Sequence, residues 1–151
     1  MQLSRWKYFP VVLTLHLACG DGTAPLPDPG TYLLQSVGGL PLPAVIMAGN
    51  GYTTQVIWST LSLQEPGSAT LIERWRQTPP SGLPTEAVHT TRYSYTISGE
   101  RLLFDYDPPC PPNALCVGPP VGEIVGSTLI LRYGTNPAFR PPSLFRLAGP
   151  D

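Results

Sequence analysis

The side chains able to do chemistry are few and widely spaced. Beyond the first twenty residues they are a single histidine, His89; a carboxylate pair, Asp105 and Asp107; two cysteines, Cys110 and Cys116; and the aromatic set Trp58, Trp75, Tyr93 and Tyr95. A histidine serving a hydrolytic triad needs a nucleophile on an exposed elbow and an acid to orient it. The chain has no Gly-x-Ser-x-Gly, and His89 reads as a residue on a strand face. Two acids two positions apart share one face of a strand and have the chemistry for Ca²⁺ or for acid–base work. Here Pro108-Pro109 follow at once and Asn113 is the only further oxygen ligand nearby, so Asp105 and Asp107 read as solvated groups at a strand end. The Cys110–Cys116 spacing is not that of a zinc site, and no second ligand pair follows it. It fits a disulfide closing a short loop, which loop-closure entropy makes worth roughly 2 kcal/mol. Trp58, Trp75, Tyr93 and Tyr95 are the candidate lining of a cavity for a small apolar ligand, although small barrels are usually filled by their own side chains. No catalytic residue, metal or cofactor is expected.

The elements that must carry these residues are short strands. With Pro 20 and Gly 15 in 151 residues, long helices are disfavoured and turns are frequent. Strand formers at 31–37 precede a Gly38-Gly39 turn, and 40–43 stays extended because each residue before proline is pushed toward β geometry. A short strand at 44–47 and a loop at 48–51 lead to a long stretch at 52–64. Within it Val56 and Trp58 share one parity and Leu61 and Leu63 the other, which predicts a bulge at Ser59-Thr60. Residues 68–77 alternate, 78–85 is proline-rich loop, and 86–98 places Tyr93, Tyr95 and Ile97 on one face. Ser98-Gly99-Glu100 signals a hairpin into 101–106, and Gly126-Ser127 another between 123–125 and 127–133, after a cysteine loop at 107–120. A loop at 136–142 and a last strand at 143–147 follow. Eight to ten sequential strands without an amphipathic helix make an all-β fold. The expectation is a small antiparallel meander closed into a barrel, with a β-sandwich as the alternative.

The N-terminus carries an address. Arg5 and Lys7 precede an apolar run at 11–18 that ends Leu15-His16-Leu17-Ala18-Cys19-Gly20. A basic start, an apolar stretch and a small residue at the boundary form a secretory signal. The run is far short of the roughly 20 residues that cross a bilayer. The cysteine at the boundary resembles the lipobox of bacterial lipoproteins, with His16 where an aliphatic residue is usual. That resemblance implies a diacylglyceryl group on the Cys19 thiol, cleavage before it, and anchoring in the bacterial cell envelope, at the periplasmic or surface face of the outer membrane. If Cys19 is acylated, Cys110 and Cys116 remain as an even pair in an oxidising compartment. The chain then divides into a signal peptide at 1–18, a lipidated cysteine with a flexible Pro/Gly tether at 19–30, and a single β domain at 31–148. About 130 residues beyond the signal are enough for one domain with a real core.

Beyond the signal, seven arginines stand against ten carboxylates, a net of −3. Such a surface lacks the clustered basic charge that nucleic-acid binding requires. Together with the lipobox-like start, the segments 30–44 (GTYLLQSVGGLPLPA), 95–104 and 126–131 resemble a group of bacterial lipoproteins with a small lipocalin-like or calycin-like β-barrel. The resemblance implies the barrel fold and carries over no functional residue; the lack of a catalytic constellation points to a non-enzymatic, lipid-anchored envelope protein, expected to be monomeric, whose β domain binds an envelope protein or plays a structural part. The alternatives are a lipocalin-like carrier of a small apolar ligand and a small-barrel hydrolase inhibitor.

Overall fold

Among the described residues, period-two alternation is realised as ten antiparallel strands in a single sheet. A computed structural model describes residues 29–114, 116, 118–134 and 140–149. The segment 1–18 read as a signal, and Cys19, lie outside the described residues. The strands are β1 (Gly30–Val37), β2 (Leu40–Pro41), β3 (Ala44–Gly49), β4 (Tyr52–Gln64), β5 (Ser68–Thr78), β6 (Thr85–Ser98), β7 (Arg101–Tyr106), β8 (Pro120–Val125), β9 (Thr128–Tyr133) and β10 (Ser143–Leu147). Their order is β2-β1-β10-β9-β8-β7-β6-β5-β4-β3, and β1 also pairs with β4. That last pairing, Gly30 opposite Leu63 through Leu33 opposite Thr60, closes β1 and β4–β10 into an eight-stranded ring. The result is an all-β, lipocalin-like meander barrel rather than a sandwich. Closure gives the ring's strands partners on both sides, removing the open edges a flat sheet would leave.

Local turn chemistry sets several boundaries differently from the sequence expectation. Ala48 and Gly49 belong to β3, and Asn50-Gly51 is a two-residue turn rather than part of a loop. Both residues have positive φ, 50° and 78°, as a type I′ hairpin turn demands. The irregularity in β4 lies between Val56 and Trp58, not at Ser59-Thr60. Thr54 and Val56 point inward before it and Ser59, Leu61 and Leu63 after it, so Trp58 is left on the outer face opposite Arg74. Strand β8 starts at Pro120, three residues before the expected 123. Proline is tolerated there because it opens the strand.

Gly122 is buried in β8 for a packing reason. A Cβ at this position would come within 3.0 Å of Leu102 Cβ and Leu129 Cδ1, and 3.2 Å of Phe104 Cε2. Gly122→Ala is therefore expected to lower stability by about 1–3 kcal/mol through overpacking. A urea unfolding midpoint equal to that of the parent protein would refute this.

The core is continuous around the ring. Val37, Val56, Leu61, Leu71, Leu102, Leu129, Leu131 and Phe145 are fully buried within it. The two ends of the barrel differ. Tight connections at 65–67, 99–100 and 126–127 gather at one end, whereas 79–84, 107–119 and 134–142 join strands at the other. The Cys110–Cys116 disulfide, with Cα atoms 6.3 Å apart, lies in the second of these longer connections.

Candidate ligand site at the open end of the barrel

Strand β5 turns its odd-numbered residues inward, placing Ala69 and Leu71 in the core and then Glu73 and Trp75 toward the open end. Glu73 is only 4% exposed. A carboxylate so placed would cost several kcal/mol without a partner. The partner is Arg140, from the connection between β9 and β10. Its Nη1 donates to Glu73 Oε2 at 3.1 Å and its Nη2 donates to Oε1 in a second bond. The guanidinium carbon also lies 4.0 Å from the centre of the Tyr133 ring, a cation–π contact. Burial works against the Arg140 cation. Tyr133 and the bonded Glu73 carboxylate outweigh it, and the net effect holds its pKa above the ordinary value.

Around this pair lies a cavity of about 320 Å³. Trp75, Tyr93, Tyr106 and Tyr133 give it aromatic walls, and Ile46, Met47 and Leu71 aliphatic ones. The rings are mutually braced: Tyr93 meets Tyr106 at 5.4 Å between centroids and Phe104 edge-on at 5.5 Å. Three cavity-lining residues also carry buried polar atoms with no hydrogen-bond partner among the described residues: Trp75 Nε1, Tyr133 Oη and Arg140 Nε. Each unsatisfied donor costs about 1–3 kcal/mol.

Only part of the aromatic set chosen from sequence meets here. Trp75 and Tyr93 line the cavity. Tyr95 instead packs 5.9 Å from Phe104 and is not among the lining residues. Trp58 is a correction: it is 37% exposed on the outer face, because the bulge falls before it. His89 is exposed on β6 with its ring 4.3 Å from Trp75, and Asp105 and Asp107 are exposed. Among the described residues, no group of three or more His, Cys, Asp or Glu is placed to hold a metal ion. The barrel is compatible with non-catalytic ligand binding or a structural role.

The residues missed from sequence are Glu73, Tyr106, Tyr133 and Arg140. Glu73 had a legible signal, since it takes the inward phase between Leu71 and Trp75. Arg140 had none: it sits in a proline-rich connection and meets a partner 67 positions away.

Burial raises the hydroxyl pKa of Tyr133 and of Tyr93 above the ordinary 10.0. A raised folded-state value means that the native protein retains these protons where the unfolded chain releases them. Their contribution to stability is full below pH 10.0 and is lost as pH rises toward the folded-state values. Unfolding free energy should therefore fall above about pH 10, with the phenolate absorbance of these two residues appearing together with unfolding. Ionisation of both within an intact fold, with no loss of stability, would contradict the prediction.

Comparison with known proteins returns no match: no family model, curated protein or solved structure is similar to this chain.

Proposed function

We propose that this chain is a non-catalytic, lipocalin-like carrier that holds a compact, largely apolar molecule in the open end of its barrel. The observation that supports the reading is the aromatic-walled cavity of about 320 Å³ above a packed core. That volume lies at the small end of ligand pockets, which span roughly 300–1,000 Å³. A ligand of one or two rings suits it. We further propose that acylation of Cys19 and the tether after it hold the barrel at a bacterial envelope membrane. Two or more acyl chains give stable attachment where one gives only marginal binding.

The ligand reading is tested in Trp58→Phe, where Trp75 is the one tryptophan left outside the signal segment. Saturable quenching of Trp75 by small aromatic probes is expected, with competition between them. Linear, non-competing quenching would remove the carrier reading. Anchoring is tested separately by the mass of membrane-extracted protein. An acylated N-terminal Cys19 supports it; a mature N-terminus elsewhere, or an unmodified Cys19, overturns it.

A further inference from the structure

Ring closure does not reach the first half of β6. Strand β7 pairs with β6 over 93–98, and the Asp107 N–H donates to the Arg92 carbonyl at 3.0 Å. From Thr85 to Thr91 the strand is paired with β5 alone among the described residues. Its register along β5 is unbroken, so the backbone alternates strictly. Arg92 turns its carbonyl to the β7 side, and Thr90, Val88 and Glu86 turn their N–H and C=O groups the same way. Residues 85–90 are exposed throughout. Open edges are commonly blunted by proline, a bulge or shortness. Strand β2 is two residues long and includes Pro41, and β3 has an irregularity between Val45 and Met47. The free edge of β6, TEAVHTT, has none of these devices and is more than half β-branched.

The edge is complementary to itself. Val88 is its midpoint, so antiparallel pairing with Val88 opposite Val88 uses the whole of both edges. The free backbone groups of Glu86, Val88 and Thr90 then meet those of Thr90, Val88 and Glu86. Glu86, already paired with Arg74 and Arg76, faces Thr90, and the second copy's Arg92 lies on its diagonal, so no like charges stand opposite each other. Centring on Glu86 instead would oppose two carboxylates. Where the free edge ends, Thr90, Arg92, Tyr106 and Pro108 line part of a cleft of about 350 Å³. The register about Val88 brings residues 83–84 of the second copy to that cleft, and Leu83 is 85% exposed. We infer that two copies of this chain pair antiparallel along the free edges of β6, with Val88 opposite Val88 and Leu83 of each copy in the cleft beside Tyr106 of the other.

Sedimentation velocity of the full chain in non-ionic detergent, over a range of concentrations, tests it. So short a seam makes a small interface, and a reversible dimer with a Kd of about 1–100 μM is expected. Val88→Pro removes an N–H that no bond to β5 uses and should weaken association about tenfold or more. Leu83→Ser, on an exposed connection, should weaken it about three- to tenfold with the unfolding midpoint unchanged. Val88→Lys and Val88→Glu each set like charges face to face and should sediment as monomers, whereas an equal mixture of the two should form a dimer. A parent chain that stays monomeric overturns the inference. Slow amide exchange at Val88 and Thr90 in that monomer would show a segment of the same chain on the edge, and fast exchange would leave the edge open to a strand of another protein. A dimer untouched by Val88→Pro would lie elsewhere on the molecule and overturn it too. Failure of the mixed charge variants to associate would overturn the register about Val88.

Discussion

Arg140→Ala should lower the unfolding free energy by about 3–5 kcal/mol, the range for removing one member of a buried ion pair. The reason is that Glu73 cannot leave. It lies in mid-strand, opposite Ser59 of β4 on one side and His89 of β6 on the other, so its backbone is fixed in the ring. Its carboxylate, 4% exposed, would then be buried without a counter-charge. Glu73→Ala should cost less, because Arg140 stands on a connection at the open end and can turn its guanidinium toward solvent. Replacing both, as Glu73→Leu with Arg140→Met, should restore most of the loss, since an apolar pair of similar volume avoids desolvating two charges. Denaturant unfolding followed by near- and far-ultraviolet dichroism reads all three variants. A loss for Arg140→Ala within the roughly 0–1 kcal/mol of a surface pair would show that the pair is effectively solvated. A double variant as unstable as the worse single one would show that the charges themselves are needed.

Phe145→Ala is the second large effect, expected to cost about 3–5 kcal/mol. Phe145 is 0% exposed and faces Leu34 of β1 and Leu129 of β9. Its strand, β10, is five residues long and joins the first strand of the barrel to the ninth. Truncation removes the largest fully buried side chain among the described residues and leaves a cavity between β1, β10 and β9. Leu103→Ala is the internal control. Leu103 is 42% exposed on the outer face of β7, and its truncation should change stability by no more than about 0.5 kcal/mol. Comparable losses in the two variants would mean that the assigned inner and outer faces are wrong.

What the sequence determined by itself was local. Gly99-Glu100 and Gly126-Ser127 turn their hairpins where glycine allows positive φ, and strands β7 and β10 run over 101–106 and 143–147 as alternation and punctuation require. The spacing of Cys110 and Cys116 closes one loop. Each of these is settled within a few residues, by backbone sterics or side-chain period. Tertiary structure decided the rest. The phase change in β4 was visible in the parity of Val56 and Leu61, but only pairing with β5 placed it before Trp58, and a shift of this kind sends a side chain to the opposite face. The barrel depends on β1 reaching β4, and the site depends on Arg140 reaching Glu73. Neither contact leaves a local pattern, because the cost of burying Glu73 is met by a residue that only closure of the ring brings near.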